Sequence, residues 1–538
     1  MPEQETGDRS LFNWTRAFYG LLMIWTGGLV AVFAGMDIPR ILGYLGDGGG
    51  YYLQVARNAA AGHGLSFDGI RPTNGFHPLW MACLIILVKI VGSGSEVIYR
   101  AAGILAVLCT SAGILLLHRT LRAALSPLAA FAGGAACAFT AFKRICLMES
   151  GVVLLTTSAL LYFGLRKRVF TQYRAGSAFG FGLLLGVTIL ARLDLGLLSV
   201  VIGIACLYRI FARAIEWKQE ALRLGFIVVG ASLLVLPLLA WNLLQFGSPI
   251  PISGRLEMRP GFPPLHEIAA SIQAAGKWIL LPLSGVAAYL VVRIVAALKG
   301  SQIVDAEPNG YLRTAALLGG IACVVHASNE FVFLVGVLYW HFGILASCTG
   351  LVVALLVGWL EAHGSDGART WLRLGIPAVV ALTMALAFLR FTKPDYLSHW
   401  HRAAYAEALW MRSHLPPSAV VAMPAPEVTG FFNEHRTLDL DGLSGHPSLQ
   451  LAIREHRLKD YLRTSGVSHY AQARFFDEIQ TDVGSVAGRD YSEGQVRFKG
   501  LYRDSTSDPL SLRRSDEVYH ECVKKPDGAC MPVVVWRL

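Results

Sequence analysis

Apolar stretches about as long as a bilayer is thick recur along the first 390 positions, separated by short polar loops. They predict spanning helices over 17–36, 100–117, 126–142, 150–165, 175–191, 194–208, 224–244, 276–292, 312–333, 342–360 and 374–391. One further apolar piece, His77 to Val91, is too short to cross comfortably and suits a re-entrant or surface-lying helix. Near Lys393 the texture changes. Helical patterns such as "YAEALWMRSHL" alternate with short β-branched runs, and the terminal "MPVVVWRL" reads as a strand. The expected fold is therefore an α-helical polytopic membrane protein over 1–392, with about eleven transmembrane helices. A small α/β domain over 393–538 follows it.

Composition agrees with an embedded chain: 54% of residues are hydrophobic, only 16% charged, and the mean hydropathy is +0.49. The segment after the polar residues 1–16 lacks a small-residue cleavage signature and is read as a retained first helix. The net charge of +10 does not point to nucleic acid, because the basic residues sit in short loops and form no patch. If 78–91 does not cross, Arg119, Arg122, Arg166 to Arg168, Arg174, Arg209, Arg213, Lys218 and Arg223 all fall on the cytoplasmic side. Eleven crossings from a cytoplasmic N-terminus then leave the C-terminal domain outside. Seven of the nine cysteines are scattered singly, mostly in apolar segments. Cys522 and Cys530 flank a Pro-Asp-Gly turn and are candidates for a disulfide across a hairpin.

Candidate chemistry gathers in the first external loop, 37–99. Asp47 opens a polar, glycine-rich stretch that must face water, since its amides would go unsatisfied in lipid. An Asp before Gly is also a common turn residue. Tyr51, Tyr52, Arg57 and Asn58 follow on a short predicted helix, which Gly62 and Gly64 would end on either side of His63. Asn74-Gly75 marks a turn, and Pro78 suits the first turn of a helix with His77 at its mouth. On the same outer side fall Lys143, Arg144 and Glu149, then Arg192 with Asp194, then Arg255 and Arg259. His326, Asn329, Glu330 and His341 add polar groups near the outer end of a later pair, where histidines are more often satisfied packing residues. Arg192 and Asp194 also fit a plain structural ion pair.

Together these residues resemble the GT-C superfamily of multi-spanning glycosyltransferases that use lipid-linked sugars. The similarity is greatest to the bacterial branch with arabinofuranosyltransferase-like and dolichyl-phosphate-mannose-transferase-like members. It is carried by Asp47, Tyr52, Ala56-Arg57-Asn58, Gly62-His63-Gly64-Leu65 and Asn74 to Trp80. "MES" at Glu149, "ARLD" at Arg192, "FGSPIPISG" and "LDLDGL" (Leu438 to Leu443) are similar to later landmarks. Where the family carries a second acid, Ala and an aromatic, this chain has Gly48, Gly49 and Gly50, which are expected to loosen the backbone around Asp47.

The resemblance implies inverting transfer from a polyprenyl-phosphate sugar to a cell-envelope acceptor, outside the bacterial cytoplasmic membrane. Asp47 would be the base, and Arg57, Arg192 or Lys143 would face the departing phosphate. Substrate contacts would come from Tyr51, Tyr52, Asn58, His63, Asn74, His77, Arg144, Glu149, Asp194, Arg255 and His341. The only cofactor the pattern leaves room for is a divalent cation. Two other classes fit the bare chain: a lipid or sugar transporter, and a non-catalytic polyprenyl-lipid-binding scaffold. A transporter would show paired halves with broken helices, and no such internal repeat is visible.

Overall fold

The computed structural model describes residues 13–45, 49–142, 145–211, 216–258, 261–275, 277–298, 309–333, 343–391, 397–472, 493–496, 510–524 and 530–538. Asp47, Gly48, Lys143, Arg144 and His341 lie outside them.

Helices fill the first part of the chain. α1 (Trp14–Gly35) leads through α2 (Ile38–Leu45) and α3 (Gly49–Ala60) to α4 (Pro78–Val91) and α5 (Ser95–Arg122). Next come α6 (Pro127–Phe142), α7 (Ser150–Arg166), α8 (Ala175–Ala191), α9 (Gly196–Phe211) and α10 (Trp217–Phe246). Two short helices, α11 (Ile252–Glu257) and α12 (Leu265–Ala275), precede α13 (Lys277–Leu298), α14 (Asn309–Phe333), α15 (Leu345–His363) and α16 (Asp366–Phe391). Every expected span is a helix. Among the described residues seven are long and apolar enough to cross a membrane: α1, α5, α9 with the turn before it, α10, α14, α15 and α16. The protein is thus a multi-pass membrane protein. α6, α7 and α8 have 16, 17 and 17 residues, at the short edge of a crossing.

The most extensive helix contacts are α8 with α10, α5 with α7 and α6 with α15. Each is built on small residues. A Cβ on Gly182 of α8 would stand 2.3 Å from the Ile227 carbonyl oxygen of α10, and one on Gly133 of α6 would stand 2.5 Å from that of Gly350 in α15. Lipid gives helices no hydrophobic reason to associate, so close backbone packing holds these pairs.

α4 has 14 residues, about 21 Å of helix, which is too short to cross unaided. Trp80, Met81, Leu84 and Val88 face inward, while Ile86 and Ile90 lie exposed on the reverse. Both faces are apolar, as a helix bathed in lipid requires.

The C-terminal part runs α17 (Leu397–His414), β1 (Val420–Met423), α18 (Glu427–Phe432), β2 (Arg436–Asp439), α19 (Pro447–Arg454), α20 (Leu458–Thr464), β3 (His469–Gln472), β4 (Glu493–Val496), β5 (Leu510–Arg513), β6 (Glu517–Lys524) and β7 (Cys530–Arg537). β1 pairs in parallel with β2 and β3, and β7 runs antiparallel to both β3 and β6, giving the order β2-β1-β3-β7-β6. Alternation along β1 sorts the two faces. Val420 and Ala422 pack with α19 and α20, while Val421 and Met423 pack towards α17. The expected α/β domain is present. It is not detached, because Val428, Phe431 and Phe432 of α18 share one core with the membrane helices.

β6 and β7 form the expected hairpin, with Cys522 opposite Pro532 and Cys530 opposite Lys524. The two cysteines are therefore diagonal neighbours in the ladder, and their side chains lie outside the described residues.

Candidate functional site

The first external loop is stiff. α3 stops at Ala60, and Gly62 (φ 90°) and Gly64 (φ 74°) turn the chain back through conformations that side chains disfavour. The Asn58 amide then donates to the Ser66 and Phe67 carbonyls, at 2.9 Å each. Asp68 Oδ1 accepts from the Ile70 and Arg71 amides and from Ser66 Oγ. Asn74 is buried. Its Nδ2 donates to Asn242 Oδ1 at 3.1 Å, and its Oδ1 accepts from the Ile252 amide at 3.0 Å, bracing the loop to α10 and α11. Pro78 supplies the first turn of α4, so its missing amide hydrogen costs nothing there.

This frame delivers His77 and Tyr52 to a cluster of charges at three helix ends. Glu149 stands at the residue before the first turn of α7, Arg192 ends α8, and Asp194 sits in the single turn before α9. An acid at a helix start and a base at a helix end both suit the backbone dipoles. Arg192 is forked between the two acids. Its Nη1 lies 2.7 Å from Glu149 Oε1, and its Nε lies 2.8 and 3.0 Å from the Asp194 oxygens. Glu149 is completely buried and also accepts from the Tyr52 hydroxyl at 3.2 Å. Burial first, and then the Glu149 charge, push the Tyr52 hydroxyl well above its usual pKa, so it remains a donor. That hydroxyl in turn accepts from the His77 amide at 3.0 Å. His77 Nδ1 accepts from the Leu193 amide at 3.4 Å, which assigns the proton to Nε2, 3.7 Å from Glu149 Oε1.

His326, which the sequence pattern reads more readily as packing, and Glu330, one of the polar groups near the same helix end, join the same cluster. His326 Nδ1 lies 3.8 Å from Asp194 Oδ2, and its Nε2 lies 3.8 Å from Glu330 Oε1. Their spacing, i and i+4 inside an otherwise apolar helix, was the available signal. Asp194, His326 and Glu330 each bring a ligand atom within 4.8 Å of the others. Two carboxylates and an imidazole form a donor set for a divalent cation, which would compete with Arg192 for Asp194.

Other expected residues lie elsewhere. Arg57 points away from Glu149. Its Nη1 donates to Ser95 Oγ at 2.9 Å, and its guanidinium stacks 4.9 Å over the Phe431 ring of α18. The structure therefore places it at the seam with the α/β domain. Tyr51 also faces the seam, where its hydroxyl donates to Asp441 Oδ2 at 2.6 Å. Burial, with Asp441 next, keeps that hydroxyl protonated as well. His63 is exposed, and Arg255 is half-buried on α11. Of the three glycines, Gly48 lies outside the described residues. Gly49 and Gly50 are buried in the first turn of α3, and a Cβ on Gly49 would stand 2.4 Å from Leu147 Cβ. The start of α3 thus abuts the segment that ends in Glu149.

A largely apolar cavity of about 420 Å³ lies among α7, α8, α9, α14 and α15, with Phe170, Arg209 and Tyr311 in its lining at the helix ends opposite the cluster. Along α9 its lining begins at Leu198, four residues past Asp194, and ends at Arg209.

The architecture can be placed among solved structures. The chain superposes on ArnT from Cupriavidus metallidurans in the apo state with a TM-score of 0.55 at 13% identity, covering 97% of this chain and 98% of that one. On the same protein bound to undecaprenyl phosphate the TM-score is 0.52 at 15% identity, covering 86% and 96%. The chain has the GT-C fold. This GT-C chain matches no protein-family model and no curated protein sequence. At such identity the likeness speaks for fold, and the chemistry has to be argued from the cluster itself.

Proposed function

We propose that this protein is an inverting glycosyltransferase. It would move a sugar from a polyprenyl-phosphate donor to a hydroxyl of a cell-envelope acceptor, at the outer face of the bacterial cytoplasmic membrane. The observation that carries this reading is the buried Glu149–Arg192–Asp194 fork with His77 and Tyr52, gathered at the ends of apolar helices on one side of the membrane part. A charged cluster at the ends of apolar helices suits a ligand with a charged head and a hydrocarbon tail. The fold it shares with a protein solved with undecaprenyl phosphate supports the same ligand class.

Asp47 falls between the end of α2 and the start of α3, and α3 starts against Leu147, two residues before Glu149. Glu149 and Asp194 are both engaged by Arg192, and the reading for the base, taken from the family resemblance, is Asp47. It would take the acceptor proton as the hydroxyl oxygen bonds to the anomeric carbon and the bond to the phosphate oxygen breaks. Negative charge then grows on the departing phosphate, where Arg192 and His77 would offset it. The charge distribution of the loops supports a cytoplasmic N-terminus and an outer α/β domain.

The test is transfer by purified protein in nanodiscs, with radiolabelled polyprenyl-phosphate sugars and an envelope acceptor extract. Asp47→Asn should lower the rate by about 100- to 10,000-fold, as loss of a general base does. A variant as fast as the wild type would refute the assignment of the base.

A further inference from the structure

The α/β domain grips the first external loop at three points, Gly50, Tyr51 and Gly75. At Gly50 a Cβ would stand 1.6 Å from the Glu427 carbonyl oxygen, and at Gly75 it would stand 1.9 Å from that of Leu443. At both places backbone meets backbone, with no room for any side chain. Between them Tyr51 donates its hydroxyl to Asp441 Oδ2. Asp441 is itself held. Oδ2 also accepts from the Ala425 amide at 3.2 Å, and Oδ1 accepts from the Leu443 amide at 3.1 Å. Ala425 stands at φ 46°, a left-handed conformation that costs a non-glycine residue about 1 kcal/mol or more. It lies two residues before Glu427, whose carbonyl meets Gly50. One carboxylate thus secures both the turn pressed on the first turn of α3 and the tyrosine one position further along.

We propose that Asp441 is a positioning residue. Through Tyr51 it holds α3 in place, and with α3 the Tyr52 hydroxyl that meets Glu149, so the outer domain sets the geometry of the cluster. This rests on the transfer reaction proposed above. It also gives Gly50 a role: where the family pattern has an aromatic, this chain admits the backbone of a second domain.

The test uses full-length protein in nanodiscs with Tyr51→Phe, Asp441→Ala, Asp441→Asn and the double variant Tyr51→Phe/Asp441→Ala. Displacing a catalytic group by about 1 Å can cost about 100-fold. Tyr51→Phe and Asp441→Ala should each lower kcat by about 10- to 100-fold with donor KM unchanged. The double variant should be no slower than the slower single one, and Asp441→Asn, which keeps an acceptor oxygen, should recover most of the rate. Amide exchange over 49–60 should quicken in Asp441→Ala while 420–423 stays protected. If Asp441→Ala loosens β1 as well, Tyr51→Phe, which removes only a hydroxyl, decides. Additive losses, or unchanged kcat together with unchanged exchange over 49–60, would overturn the proposal. Should the wild type transfer no donor, the functional reading fails on its own, and the exchange experiment still judges whether Asp441 holds α3.

Discussion

Replacing Arg192 tests the cluster most directly. Its guanidinium serves two carboxylates at once, through Nη1 to Glu149 at 2.7 Å and through Nε to Asp194 at 2.8 and 3.0 Å. Glu149 has no exposure and the Asp194 side chain only 20%, so neither can recover its lost partner from water. Arg192→Met should therefore cost about 3–5 kcal/mol, the usual penalty for stranding a buried charge. Arg192→Lys keeps the charge but lacks the planar fork, so its ammonium serves one acid well and the other poorly. Losing one charge-assisted bond amounts to about 1.5–3 kcal/mol. Adding Glu149→Gln to Arg192→Met removes one stranded charge and should restore part of the loss, a coupling of about 0.5–3 kcal/mol. Denaturant midpoints in matched detergent would rank wild type above Lys, Lys above the double variant, and Met last. If Arg192→Met were as stable as the wild type, or the double variant no better than Met alone, the fork would not be the centre of the cluster.

Three further outcomes are expected. Glu407 in α17 is fully buried and accepts from Thr429 Oγ1 at 3.0 Å, and burial pushes its carboxyl up to about 8. Between about pH 4.5 and 8 the folded protein keeps a proton that the unfolded chain releases, so stability should fall as pH rises, by up to about 1.4 kcal/mol per unit. Melting temperatures of Glu407→Gln should lack that slope, and parallel pH profiles would refute the assignment. Chelation with EDTA should leave transfer intact, because Gly48 stands where the second acid would be and Arg192 already occupies Asp194; a loss restored by added metal would reverse this. Protein isolated from an oxidising compartment should gain about 2 Da on reduction if Cys522 and Cys530 are bridged; an unchanged intact mass would leave both as thiols.

The spans were legible because length and apolarity are local properties, and each predicted segment is a helix. Glu149, Arg192 and Asp194 were legible because charge at the end of an apolar helix is costly and so marks itself. The direction in which Arg57 points was not. Arg57 lies five positions beyond Tyr52, some 140° further round α3 at about 100° per residue, so the two cannot face one partner. Which of them meets the charges depends on where the α/β domain docks. Gly49 and Gly50 carry the same lesson, since their neighbours Leu147 and Glu427 are distant in sequence. His326 and Glu330 acquire meaning only when α14 is brought beside Asp194.

The bond from Tyr51 to Asp441 joins residues 390 positions apart. At a synthesis rate of about 5–20 residues per second, the first loop waits about 20–80 s before its partner leaves the ribosome. Throughout that interval a nascent chain already threaded into the bilayer lacks the contact proposed to set α3. A product terminated before Asp441 would never gain it, so the first loop takes its final setting only once much of the outer domain has been made.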